Sequence, residues 1–374
     1  MSSHTYNPDV RFEQAEILAP TKFKRGEFIP EKITVVSCTA DTIAPKRVRW
    51  IWKNRIPEKL MLLVGDPGTG KGLFTMYAAA RITTGSDFYD DENLIPSSEI
   101  AFLSDEDEWD DTVVPRLMAA GADLSKVHQI KMVSVTQGPA QNKQERALQL
   151  DTDVKALEEF LEQHPNVRAV VVDPVSNYMG NVRMMEDSQV RKVLNPLRVL
   201  SEKFHIAVMV VMHLNKKVDL NSIYRIGGTM GYLGIARLAW LFIEAPKEED
   251  RPESQDEYLM LRLKANIIKK NVKGLRYVAR DKYVPVEGVK ECMPCLEFIG
   301  KVDSLADEVV RANSGVEPKR AAHRPAEQTP AAVDWLKEFL SKGPQSKQAV
   351  MYYAGEQIPS FTKRTIERAA LAPS

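Results

Sequence analysis

Cysteine is scarce in this chain: three residues in 374. That excludes a disulfide framework. Cys292-Met-Pro-Cys295 is a lone CxxC, and Cys38 stands far from it. A zinc site needs a second pair or nearby histidines, and the six histidines show no paired spacing. The thiols therefore read as structural. Long apolar runs are also missing, so no segment is long enough to span a membrane. The N-terminus is polar and carries no secretory pattern. Excess charge of either sign is absent: 51 Lys and Arg offset 51 Asp and Glu. A globally basic nucleic-acid binder is excluded, while a local basic patch is not. No internal repeat is visible. These absences predict a soluble, cytoplasmic protein, and a hydrophobic content of 44% allows a packed core.

What is present is concentrated in one heptapeptide, Gly65-Asp-Pro-Gly-Thr-Gly70-Lys71. The apolar run Leu60–Val64 precedes it, and a helical pattern from Leu73 follows. Strand, glycine-rich turn and helix form the context of a phosphate-binding loop. The glycines let successive N–H groups converge on one anion, and the helix N-terminus adds partial positive charge. The predicted nucleotide contacts are Gly65, Asp66, Pro67, Gly68, Thr69, Gly70, Lys71, Gly72 and Leu73. Lys71 supplies a cation for the β- and γ-phosphates. Asp66 and Thr69 are expected to face solvent. A Ser or Thr hydroxyl that holds Mg²⁺ usually follows the lysine. Here Gly72 stands in its place, which retains phosphate cradling and removes direct ligation by the loop. The loop is similar to that of adenylate kinases, which also carry glycine after the lysine.

Apolar runs at 100–103, 130–133, 168–172, 206–212 and 238–243 alternate with helical patterns at 154–163 and 190–204. Asp151 and Thr152 are the expected caps of the first of these helices. Alternation of this kind predicts a mostly parallel α/β sheet covered on both faces. Residues 258–264 and 275–279 read as antiparallel strands. The chain divides into an N-terminal arm (1–45), an α/β core (46–300), a linker rich in Ala, Glu, Pro and Arg (301–330) and a small helical tail (331–374). In the tail, Val333, Leu336, Phe339 and Leu340 share a predicted face.

Three predicted strands end in chemistry-bearing residues. Val170-Val-Val-Asp173 ends in a carboxylate suited to orienting Mg²⁺ or its water. Ser104-Asp-Glu-Asp-Glu108 offers a base for an attacking water: Glu106 first, Asp107 second. Four adjacent acids cannot all crowd one site without mutual repulsion, and Arg116 is placed to pair with one of them. Met209–Met212 ends at His213, positioned to touch a γ-phosphate, although a lone histidine in a strand-end turn fits the same spacing. The glycine-rich, basic stretch from Lys217 to Gly234 reads as a loop able to reach a polynucleotide, or as a connector. Arg237, Lys264, Lys269 and Lys270 are candidates for charge supplied across a subunit boundary, or for a solvated basic face.

Taken in order, Trp50-Ile-Trp52, the glycine-rich loop, Ser104–Asp107 with Pro115-Arg116 and Ala119–Asp123, Val172-Asp173-Pro174, His213-Leu-Asn-Lys216, and Gly227-Gly228 to Arg237 resemble one family. They look like the RepA-like branch of the RecA/DnaB-type hexameric helicase ATPases, found on plasmids, phages and integrated elements. The resemblance spans about residues 45–300. It implies a RecA-like P-loop NTPase core, a ring of subunits with ATP and Mg²⁺ bound between neighbours, and single-stranded DNA in the channel. It implies that Lys71 binds phosphates, Glu106 activates water, Asp173 serves Mg²⁺ and His213 senses the γ-phosphate. By the same resemblance Arg237 is the arginine finger, and Lys264 is a second inter-subunit charge. A replication initiator or primase is an implied partner. The tail is similar to a winged-helix domain, with Lys363, Arg364 and Arg368 meeting DNA phosphates, although the chain stops soon after. Two other classes fit parts of the pattern. One is a nucleotide-gated DNA-binding regulator or loader that unwinds nothing, favoured by Gly72 and the short tail. The other is a small-molecule kinase, for which no lid or acceptor pocket is apparent.

Overall fold

The computed structural model describes residues 13–18, 32–91, 95–137, 142–180, 182, 186–214, 231–246, 256–269, 271–314, 328–341, 343–356 and 366. The chain forms two compact units, Met1–Trp50 and Ile51–Ser374. In the first, β1 (Glu13–Leu18) and β2 (Lys32–Ser37) pair antiparallel.

In the second unit, β3 (Trp50–Trp52) pairs with β4 (Ile56–Pro57) and leads into β5 (Leu60–Gly65). The main sheet continues with β6 (Glu99–Ser104), β7 (Val127–Gln129), β10 (Val167–Asp173), β11 (Ala207–His213), β12 (Leu238–Glu244), β13 (Glu257–Ala265), β14 (Gly274–Val286) and β15 (Val289–Val302). A separate hairpin joins β8 (Val133–Gln137) and β9 (Asn142–Arg146). The nine-stranded order is β15-β14-β13-β12-β5-β11-β10-β6-β7. From β12 to β7 all neighbours are parallel, and β13 to β15 extend the sheet antiparallel. This is the expected α/β class with a mostly parallel core.

Local sequence explains the layers. All six residues of β5 are buried, as a strand covered on both faces requires. Helices α1 (Lys71–Thr84), α2 (Val114–Ala120), α3 (Val154–Gln163) and α4 (Asp187–Phe204) follow individual strands. On α4, Val190, Val193, Leu194, Leu197 and Leu200 recur at helical spacing and are all buried. The short α5 (Gly231–Ile235) is tied to α4 where the Gly231 N–H donates to Asp187 at 3.0 Å.

Four details depart from the sequence reading. The run at 130–133 is not one strand; it separates β7 from β8. The residue before α3 is Asp153, not Asp151 or Thr152, and its carboxylate is engaged by Arg146 and the Gln149 N–H instead of capping the helix. The segment read as a linker opens with α6 (Ala306–Ser314), whose Ala306, Val309 and Val310 are buried in the main core. Its charged residues masked a short amphipathic face. In the tail, α7 (Gln328–Ser341) and α8 (Lys347–Gly355) share a small cluster of Ala332, Leu336, Ala354 and Ile366. Leu340 lies outside that face and is 40% exposed.

Candidate nucleotide site

Parallel register brings the three strand ends into line. His213 at the end of β11 lies opposite Gly65 of β5, and Asp173 of β10 lies opposite Ser104 of β6. The loop after β5 closes one side. Gly68 and Gly70 adopt left-handed φ values of 78° and 80°, which only glycine takes without strain. Gly65 is required for a different reason: a Cβ there would lie 2.3 Å from the Phe242 carbonyl. Together these elements line a cleft of about 320 Å³ whose walls include Gly68, Gly70, Lys71, Glu106, Asp173 and His213.

Lys71 is buried, and its ammonium donates to the carbonyls of Gly65 at 3.0 Å and Asp66 at 2.8 Å. Burial pulls its pKa down to about 8, against the pull of Asp173, Asp66 and Glu106. Asp173 shows the opposite shift. Burial, then the negative charge of Glu106, pushes its carboxyl up to about 7, with Lys71 opposing. The cleft thus holds a cation and an acid whose burial outweighs their mutual attraction, a cost that a polyanion and a metal ion would relieve together.

The four acids after β6 separate in space. Asp105 accepts from the Asn177 amide at 2.9 Å, and Asp107 binds the Arg116 guanidinium at 2.7 Å. Glu106 lies 3.6 Å from the His213 imidazole. The Trp109 indole pins the turn by donating to the Ser104 carbonyl at 3.1 Å. Of the four, Glu106 is therefore the one set beside His213 in the cleft. The second nitrogen of His213, Nδ1, is buried with no hydrogen-bond partner among the described residues.

Other expectations sort differently. Thr69 does not face solvent; it is buried, with its hydroxyl donating to the Asp66 carbonyl at 2.7 Å. Tight curling of the loop turns that side chain inward. Asp66 is partly buried, whereas Pro67 is exposed. Gly72 has open space where a Cβ would project. Arg237 precedes β12, and its N–H donates to the Leu60 carbonyl, so it sits at the end of the sheet opposite the loop. Six residues of β5 separate those ends, roughly 17 Å. Lys264 pairs with Ala239 on the adjoining strand and donates to the Leu233 carbonyl. Burial and then the charges of Arg237 and Arg191 lower its pKa. The structure thus groups Arg237 with Lys264 and keeps both out of the cleft of their own chain. Lys269 is described, whereas Lys216, Lys217, Arg225, Lys270, Lys363, Arg364 and Arg368 lie outside the described residues.

Sequence reasoning missed two contributors. Pro294 of β15 borders the cleft because the β14–β15 hairpin continues past the sheet edge and packs on α2. Its neighbouring cysteines read as structural; Cys292 is exposed and Cys295 buried. Residues three apart on a strand point to opposite faces, so the pair cannot close on one ion or one bond. Tyr277 supports the loop from beneath and gave no sequence signal beyond its place in a strand.

The model of a family described as AAA domain matches residues 30–219, more than half of the chain. The chain belongs to the AAA domain family (AAA_25). Among solved structures it is similar to one described as an ATPase domain, with 11% identity over 62% of this chain and 84% of that one and a TM-score of 0.42. No curated protein matches. As an AAA domain the chain is a P-loop ATPase, and nucleotide binding is its elementary act. The donor set also fits Mg²⁺: Asp173 and Glu106 bring two carboxylates to the cleft, and burial, then the charge of Glu106, raises the pKa of Asp173. Among the described residues, no helix is long and apolar enough to cross a membrane.

Proposed function

We propose that this AAA domain is a ring-forming ATPase motor of the RepA-like helicase branch, acting on single-stranded DNA of a mobile element. One observation carries the reading. Lys71, Glu106, Asp173 and His213 converge on one cleft, whereas Arg237 and Lys264 cluster at the far end of the same sheet. A cation pair that cannot reach its own nucleotide is suited to completing a neighbour's.

In this mechanism Lys71 leaves the loop carbonyls for the β- and γ-phosphates. Glu106 orients a water for in-line attack and takes its proton as the bond to the leaving ADP oxygen breaks. Asp173 would hold Mg²⁺, which would supply positive charge to the phosphate oxygens. His213, next to Glu106, registers loss of the γ-phosphate. A neighbour's Arg237, with its Lys264, stabilises charge on the transferring group, the role an arginine finger plays. Stabilisation is largely electrostatic, so an isolated subunit turns over slowly. Arg364 and the adjoining basic residues of the tail are proposed contacts to DNA phosphates, and a replication initiator or primase is a proposed partner.

Gly72 favours a second reading, a nucleotide-gated regulator or loader, because the loop lacks the hydroxyl that helps hold Mg²⁺. ATP turnover with and without a single-stranded oligonucleotide, alongside sizing of the complex, separates the two. The motor reading requires a discrete ring that captures the oligonucleotide and hydrolyses ATP faster for it. Tight ATP binding with negligible turnover and no ring would reject the motor.

A further inference from the structure

The side chain that supports the phosphate loop from below has no role in the mechanism above. Tyr277 is 1% exposed on β14. Its ring stacks on Tyr258 at 5.6 Å and meets Phe242 and Phe298 edge-on at 6.0 and 5.9 Å. With three walls fixed, the ring cannot swing. Its hydroxyl donates to the Thr69 carbonyl. Its ring edge lies 3.1 Å from where a Cβ on Gly70 would project. One aromatic residue thus touches both halves of the peptide linking Thr69 to Gly70.

We propose that Tyr277 is a positioning residue that holds the Thr69–Gly70 peptide in its anion-binding orientation. The inference rests on the reading of this loop as a nucleotide site. A trans peptide is planar, and its carbonyl and N–H point in opposite directions. Drawing the Thr69 carbonyl down toward β14 therefore turns the Gly70 N–H up, away from the ring and into the cleft that Gly70 lines. The left-handed conformation of Gly70 (φ 80°) keeps the following N–H groups on that same side, and such an array is a ready-made cradle for phosphate oxygens. Burial drives the Tyr277 phenol well above its ordinary pKa, so it stays a donor across the physiological range. Without it, the buried carbonyl of Thr69 has no donor on the sheet side. The peptide is then free to rotate and present an oxygen to the phosphate instead of an N–H. Tyr277 does not line the cleft with Lys71, Glu106 and Asp173, so its effect falls on capture of the phosphate tail and not on the chemical step. The same strand continues into the hairpin that carries Pro294 along the cleft. Loop and hairpin are thereby linked through one ring.

The test compares the full-length protein with its Tyr277→Phe variant, which keeps the ring and removes only the donor. Losing one such hydrogen bond corresponds to about a 3- to 10-fold change. ADP affinity, measured by calorimetry, should fall by that factor, and the KM for ATP should rise to match. The kcat should stay within about twofold, and the nucleotide-free protein should stay folded, its Tm lowered by no more than a few degrees for the donor lost. ADP affinity within twofold of the parent overturns the inference. So does a kcat that falls as far as the affinity, because Tyr277 then supports the whole site and not capture of the phosphate tail. If the parent protein binds no ADP, the nucleotide reading itself fails, which the parent titration reports separately.

Discussion

Replacing Asp173 with asparagine should stabilise the nucleotide-free protein, although it removes a residue of the candidate site. In the folded chain burial and the nearby Glu106 push this carboxyl from 3.8 to about 7. Between those values the folded state keeps a proton that the unfolded chain has released. Raising the pH through that window therefore costs stability, with no penalty below about 4 and the full penalty above about 7. Each pKa unit corresponds to about 1.4 kcal/mol, so the ceiling is about 4 kcal/mol. Two effects lower it. Asp173 is partly exposed, and water screens its charge. Asp173 also supports the Lys71 ammonium, and losing that anion offsets part of the gain. About 1–2 kcal/mol remains at pH 8, which raises Tm by a few degrees. Thermal melts of parent and Asp173→Asn across pH 4 to 8 should coincide at the acid end and diverge toward pH 8, with the variant higher. The Tm increment that ATP with Mg²⁺ gives the parent should shrink in the variant. A variant that melts at or below the parent at pH 8 would refute the reasoning, since Asp173 would then be an ordinary compensated carboxylate.

Lys71, with a pKa drawn down to about 8, is partly deprotonated at pH 8 and should regain its proton when phosphates bind. Calorimetry at pH 8 in buffers of different ionisation enthalpy should show proton uptake on ATP binding, and none at pH 6. Gly72→Ser places a hydroxyl into open space at the start of α1. It should lower the Mg²⁺ concentration needed for half-maximal turnover several-fold and leave Mg²⁺-free ADP binding within about twofold. Lys71→Ala and Arg237→Ala proteins should each be nearly inactive. Mixed, they should recover a measurable fraction of activity if Arg237 serves a neighbour's cleft; recovery fails if it acts only within its own subunit.

The parallel core was legible because its strands are continuous apolar runs, and each candidate residue sits where such a run stops. Lys71, Glu106, Asp173 and His213 were found this way, and parallel register does bring those ends together. What escaped was set by pairing between distant segments. Pro294 reaches the cleft only because a 13-residue strand and a 14-residue strand pair beyond the sheet edge. Tyr277 reaches the loop only because β13 and β14 fold back beside β12. Thr69 reads as exposed in a polar loop, and only the curl of the backbone turns it inward. The division of three of the four acids among Asn177, Arg116 and His213 depends on three separate elements, which no local pattern encodes.

The central claim, that the loop from Gly65 to Gly72 grips the phosphate tail of a nucleotide with Lys71 as its cation, is tested most directly by calorimetry. Titrating ATP with Mg²⁺ into the parent protein should give saturable heat at one site per chain. The Lys71→Ala protein, confirmed as folded by an unchanged melt, should bind at least tenfold more weakly. Equal binding by the two proteins, or none by the parent, would contradict the account.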